Sequence, residues 1–266
     1  VSLKTTFLAI AIVAALSTSS GAQPLNSRDL GRTGEAFQPR EIVDLPTAGL
    51  PPRGGFYVES DVYSEGAMLV SLGVGFTRYF SFGISYGGQG IIGSGDPDMN
   101  PEPGVHLKAR LVNETVTMPA IAVGFDSQGR GPYIDELDRY VVKSRGIFAV
   151  ASKNWEIVGP LSLHGGISYS LESEDDNDPD IFFGFIKTFS GFLDLRAEYD
   201  FGLNDNEGDE PFVEKRGFLN ASVVWHVNED FAVALEVRDI ATEERPRVED
   251  LRQWNRGLSI IYTGML

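Results

Sequence analysis

The sequence predicts an all-β fold, a single antiparallel transmembrane β-barrel of about 12 strands with short periplasmic turns and longer extracellular loops. Three observations lead there. A short apolar leader follows one basic residue, hydropathy alternates with a period of two from Gly55 onward, and connections alternate between short and long once the first loop is passed.

The leader fixes the compartment. Lys4 precedes an apolar run from Phe7 to Leu16, and the small residues from Ser17 to Ala22 supply a cleavage site before Gln23. The run is too short to cross a bilayer as a helix. Residues 1–22 are therefore expected to be a signal peptide, and the barrel reading places the exported chain in the bacterial outer membrane. Residues 23–53 contain Pro24, Pro39, Pro46, Pro51 and Pro52 with few periodic apolar positions. They read as an extended periplasmic lead-in in preference to a short plug, and residues 54–266 as the barrel.

Strands are expected at 55–64, 67–79, 80–92, 104–112, 118–127, 145–155, 160–171, 180–189, 192–202, 217–227, 231–240 and 256–266. The clearest alternation sets Leu193, Leu195, Ala197, Tyr199 and Phe201 against Asp194, Arg196, Glu198 and Asp200. The same pattern sets Val105, Leu107, Ala109 and Leu111 against His106, Lys108 and Arg110, and Phe231, Val233, Leu235 and Val237 against Glu236 and Arg238. Between 160 and 171, Leu161, Leu163, Ile167 and Tyr169 oppose Ser162, His164, Ser168 and Ser170. Short connections fall near 79–81, 113–117, 156–159, 190–191 and 228–230, and longer ones at 94–104, 127–144, 172–179, 203–216 and 241–255. Phe80, Tyr86, Phe125, Trp155, Tyr169, Tyr199, Phe201, Trp225 and Tyr262 fall near strand ends on the apolar faces, as interfacial girdles require. The last strand ends on Leu266 where exported barrels usually carry an aromatic.

Composition narrows the function classes. Hydrophobic residues make up 42% and charged residues 23%, and no segment after the leader approaches the roughly 18 apolar residues of a membrane helix. Cysteine is absent, which removes disulfide and thiolate chemistry. A net charge of −16 argues against a nucleic-acid partner.

With the apolar face toward lipid, the lumen receives Glu59, Asp61, His106, Lys108, Arg110, Asp126, Asp194, Arg196, Glu198, Asp200, Glu236 and Arg238. Both signs are present, so the residues are expected to form an ion-pair network bracing the barrel, or a constriction selecting small polar solutes and widened by Gly83, Gly124 and Gly166. About twelve strands lies between a filled barrel and an open pore.

The remaining motifs carry little chemistry. The acidic stretches Glu172 to Asp180 and Asn204 to Glu210 lack the spacing of a calcium loop and read as solvated loops, so no metal is assigned. Gly88, Gly90 and Gly93 match the letters of a dinucleotide fingerprint, but a loop follows where a helix should begin, so no cofactor is assigned. His106, His164 and His226 are far apart in sequence; His164 facing Ser162 and Ser168 is the nearest approach to a nucleophile and base, and a hydrogen bond explains it equally well.

The segments Pro46 to Gly49, Gly104 to Arg110, Pro119 to Asp126 and Val150 to Asn154 resemble the outer-membrane barrel proteins of the YjbH type, associated with exopolysaccharide loci, over roughly Pro46 to Tyr199. The resemblance implies an outer-membrane barrel with a role in exopolysaccharide export or surface assembly, and implies no catalytic residues. The expectation is a non-enzymatic barrel surrounded by outer-membrane lipid, either a narrow channel for small polar solutes or an accessory to such export. A structural or adhesion barrel binding a surface partner and an outer-membrane lipid hydrolase are the alternatives.

Overall fold

The computed structural model describes residues 37–93, 96–172, 176, 178–206, 217–240 and 256–266. The expected signal peptide, residues 23–36 of the lead-in and most of the 203–216 and 241–255 loops lie outside the described residues.

Period-two segments become strands in chain order. They are β1 (Gly55–Tyr63), β2 (Met68–Thr77), β3 (Phe80–Gln89), β4 (Asp98–Met99), β5 (Gly104–Val112), β6 (Ala120–Asp126), β7 (Arg130–Ile134) and β8 (Arg139–Val142). There follow β9 (Gly146–Glu156), β10 (Pro160–Tyr169), β11 (Asp180–Phe189), β12 (Leu193–Asp200), β13 (Phe218–His226), β14 (Phe231–Val237) and β15 (Arg256–Met265). Twelve of them form one antiparallel ring in the order β1, β15, β14, β13, β12, β11, β10, β9, β6, β5, β3 and β2, and β2 returns to β1. The seam is continuous, with Gly55 opposite Met265 and Tyr63 opposite Gly257. Closure leaves no unpaired strand edge, which a membrane span built from strands requires.

Each sheet position has one face outward. Leu72, Ile84, Leu111, Phe183, Leu235 and Ile260 are among the large apolar side chains exposed on the exterior. Phe80, Trp225 and Tyr262 ring the turn end on this face, and Tyr86, Phe125, Tyr169, Tyr199 and Phe201 the loop end, whereas Trp155, expected with them, is buried at the lumen cavity. An apolar belt between aromatic girdles on a closed sheet is the exterior of a transmembrane barrel.

Two local departures from the sequence reading shape the interior. The 127–144 connection, expected as a plain loop, contains the β7–β8 hairpin, and the residues from Arg139 to Arg145 are buried. The lead-in departs further. Instead of an extended periplasmic segment, residues 37–52 are buried or half-buried, and they bond to strands around the ring. The reason is the polar lining itself, since charges facing a narrow lumen need partners and the peptide groups of this segment supply them.

Candidate functional site

The lumen is occupied by a hairpin of the lead-in. Its arms are joined by the Thr47 N–H donating to Arg40 O (2.9 Å) and by a bridge between Glu41 and Pro46. The tip is tightened by the Ile42 N–H donating to Leu45 O (2.9 Å). Proline at 39, 46, 51 and 52 suits a segment that never joins the sheet, because the missing N–H groups would be gaps in a ladder.

Glu198 on β12 holds the tip. Its carboxylate accepts the backbone N–H groups of Val43 (2.8 Å), Asp44 (2.9 Å) and Leu45 (3.0 Å), and the Asn220 amide at 2.8 Å. Arg238 grips the tip side chain with two parallel bonds to Asp44 (2.8 and 2.9 Å), and Arg130 adds a third at 3.1 Å. Burial works against the charge on Asp44, but Arg238 and Arg130 hold its carboxyl down at about 2.

The arms are held chiefly through their peptide groups. Lys108 donates to Arg40 O (2.9 Å) and Gly49 O (3.3 Å), Arg110 to Ala48 O (3.1 Å), and Arg196 to Glu41 O (3.3 Å). Ser152 Oγ accepts the Ala48 N–H at 2.8 Å. Arg40 pairs with Glu59 and lies 4.0 Å over the Tyr57 ring. Apolar contact completes the fit, with Ile42, Leu45 and Ala48 packed against the inward-facing Ala120, Ala122, Phe148, Val150, Phe182 and Ile186. Full burial of a side chain such as Leu45 is worth about 1.5–3 kcal/mol.

All twelve charged residues of the expected lining face inward, but half of them bond to the plug. These are Glu59, Lys108, Arg110, Arg196, Glu198 and Arg238. Among the rest, Asp61 accepts from Ser259 (2.5 Å), His106 pairs with Asp126 (3.0 Å), Asp194 with His226 (2.9 Å), Asp200 with Arg145, and Glu236 with Arg238 (2.7 Å). The network braces a stopper as well as a wall. The glycines do not widen the bore either. A side chain at Gly83, Gly124 or Gly166 would collide with the rings of Tyr57, Phe148 and Phe182, which lie against the wall there.

The sequence reading missed Asp44, Arg130, Ser152, Asn220 and Arg145. The signal available for the plug was the apolar cluster Ile42, Val43 and Leu45 inside a proline-rich stretch, too short for a strand pattern.

The loop end is closed separately. Arg139 pairs with both carboxylate oxygens of Asp205 (2.6 and 2.7 Å), Lys143 donates to Asp176 O (2.9 Å) and Asn204 O (2.7 Å), and Arg145 joins Asp180 and Asp200. Toward the turn end a cavity of about 580 Å³ remains between plug and wall, and its lining includes none of these loop-end residues.

Two clusters test for catalysis. His164 bonds to Ser152 (2.7 Å), not to Ser162 or Ser168, and its Nε2 has no partner among the described residues. His106 lies between Asp126 (3.0 Å) and Ser85 (2.9 Å), the connectivity of an acid, base and nucleophile. Ser85 is only 2% exposed, its hydroxyl also bonds Gln128 (3.0 Å), and the lumen cavity does not reach it. A nucleophile needs room for a substrate, so this chain of bonds braces the 127–131 segment.

Fold and site together define a class, a transmembrane β-barrel whose bore is filled by its own N-terminal hairpin and capped by an inserted loop. No protein-family model matches the chain, and no curated protein does. Among solved structures it is similar to a NanC porin, at 8% identity and a TM-score of 0.40 over 79% of this chain and 99% of that one. It is also similar to the Salmonella typhi OmpF in complex with daunomycin, at 14% identity and a TM-score of 0.33 over 74% of this chain and 61% of that one.

Proposed function

We propose that this chain is a non-enzymatic outer-membrane β-barrel that forms a narrow channel for small polar solutes, held shut by residues 37–53. The observation that carries the reading is the way the lining charges engage the plug. Lys108, Arg110, Arg196 and Glu198, which would meet solutes in an open bore, bind peptide groups of the hairpin instead. A bore with these charges is polar enough to conduct once they are freed.

The test is single-channel conductance of residues 23–266 in a planar bilayer. Native protein is expected to be silent or to open rarely, and Arg238→Met or Glu198→Gln to give discrete steps at higher frequency. Silence from both variants, shown folded in the bilayer, would remove the channel reading. The double closure of the bore supports a second reading, an accessory to exopolysaccharide export or surface assembly of the kind the YjbH-type resemblance implies. Binding of an exopolysaccharide by a barrel that stays silent would favour it.

A further inference from the structure

The ring has two unlike halves at its turn end. Three neighbouring connections, 113–119 between β5 and β6, 157–159 between β9 and β10, and 190–192 between β11 and β12, carry exposed Val116, Met118, Ile157 and Phe192. The other half holds the β13–β14 turn, the β2–β3 turn and the entry to β1, where Glu229, Asp230, Arg78 and Arg53 are exposed. Val227 and Leu266 are exposed there as well, but singly among these charges. Among the described residues, Glu156 is the one exposed charge of the apolar half, and it falls on the inward face of β9, lining the lumen cavity.

Two lysines draw the apolar turns outward. Lys153 lies opposite Leu163, and Lys187 between Leu161 and Leu195, so both occupy outward-facing positions of β9 and β11. Lys187 Nζ donates to the carbonyls of Ile157 (2.7 Å), Val158 (2.8 Å) and Gly159 (2.9 Å). That uses all three N–H groups of the ammonium and every carbonyl of the 157–159 turn. Lys153 Nζ donates to Thr115 O and Val116 O (3.1 Å) and pairs with Glu114 (3.3 Å). Each turn therefore folds over the exterior of the wall, onto a lysine rooted in the next strand of the ring.

In water this capping is unnecessary, because solvent satisfies the carbonyls of a turn and hydrates an ammonium. Hydrocarbon reverses both preferences, and irregular backbone at that depth must find its partners within the protein. With the carbonyls turned onto lysine, Val116, Met118 and Ile157 are left as the outward surface, and none of them lines the lumen cavity. Leu111 on β5 and Phe189 on β11, both exposed, join that surface to the lipid-facing belt. A protein partner would bring donors of its own and would not require the carbonyls to be sealed. The charged half lacks the device. At 227–230, Asn228 Oδ1 accepts the N–H groups of Asp230 (2.9 Å) and Phe231 (2.8 Å), and Glu229 and Asp230 remain exposed.

We propose that the 113–119 and 157–159 turns, with the rim as far as Phe189, are immersed in the acyl-chain region of the leaflet at the turn end, while the 227–230 and 78–79 turns stay in water. The partner of this surface is lipid. A bilayer of even thickness meets a rim of uneven polarity, so the cylinder leans to bring its β5–β11 side deeper. The inference rests on a barrel that spans a bilayer, and not on whether its bore conducts.

Cysteine is absent from the chain, so one introduced cysteine carries one environment-sensitive nitrobenzoxadiazole label. Val116→Cys and Ile157→Cys report the apolar half, Glu229→Cys the charged half and Leu235→Cys the belt, each in residues 23–266 refolded into phosphatidylethanolamine–phosphatidylglycerol vesicles. All four side chains are exposed, and heat-modifiable gel migration verifies the fold of each variant. Lipid bearing a nitroxide on its acyl chain is expected to quench the labels at Val116 and Ile157 as it does at Leu235. Iodide on both sides of the bilayer is expected to quench at Glu229, with that quenching lost at Val116 and Ile157. Iodide that reaches all three rim positions alike, with lipid quenching confined to Leu235, overturns the proposal and leaves a water-facing surface open to a protein. Equal lipid quenching at Glu229 overturns the two-sided rim. Absence of lipid quenching at every position, Leu235 included, removes the membrane barrel and the proposal with it. Conductance plays no part in this readout, so a failed channel reading and a failed lipid surface give different results.

Discussion

Glu198 satisfies three consecutive peptide N–H groups with one carboxylate, an arrangement that a neutral amide cannot reproduce. Glu198→Gln replaces one acceptor oxygen by a donor aimed at other donors, and should loosen the plug by about 1–3 kcal/mol. Faster tryptic cleavage at Arg40 in the folded barrel is the measurement, and unchanged protection would show that the apolar contacts of Ile42 and Leu45 suffice. A second residue is strained for no visible gain. Val158 is 97% exposed at the tip of the β9–β10 turn with φ 49°, a left-handed conformation poorly suited to a β-branched side chain. Val158→Asn should raise stability by about 1 kcal/mol in urea titration of the folded barrel. At this scale the inward orientation of all twelve charged residues was legible, because parity along a strand fixes the face. Their partners were not legible. Nothing in the spacing of Glu198 or Arg238 indicates that a segment some 150 to 190 residues upstream will meet them.

The plug is the element on which the rest turns, and its anchor should respond to acid. In the folded chain the Asp44 carboxyl is held at about 2, below its ordinary value of 3.8, because the two guanidiniums outweigh the effect of burial. A depressed carboxylate contributes stability that is fully present above the unfolded value and is lost as pH falls through the folded one. The Arg238–Asp44 contact should therefore hold from neutrality down to about pH 4 and fail toward pH 2. Channel openings recorded across that window should rise in native protein and stay flat in Asp44→Asn, which has lost the titrating group. The twelve barrel strands were legible to within a few residues because each carries its own alternation and its own turn signal. The β7–β8 hairpin and the plug hairpin were not, since both are short, irregular and stabilised by what they touch. Tertiary contact, not local pattern, sets their conformation.

For the whole molecule, the closed ring, the outward apolar belt and the paired interior predict a barrel that resists detergent until heated. Unheated protein should migrate faster than boiled protein on a detergent gel, and identical mobilities of a correctly folded sample would contradict the closed ring. A count of about twelve barrel strands and the alternation of turns and loops were readable from sequence, because closure follows from an even count with both ends on one side. Whether the bore is open was not readable, since twelve strands permit either state and the filling comes from outside the periodic region. The seam gives this filling a further meaning. β1, the strand that follows directly from the plug, zips against β15, the last strand of the chain. A cylinder closed at that seam last can form around a stopper already seated, with Glu198 and Arg238 finding their mates before the wall is complete. The hairpin then serves as a casting core, giving the polar lining something to set against while the outside meets lipid. Wall and core would share one history. A graft of the first strands and leader from another barrel onto this wall should assemble poorly even where every strand register is kept.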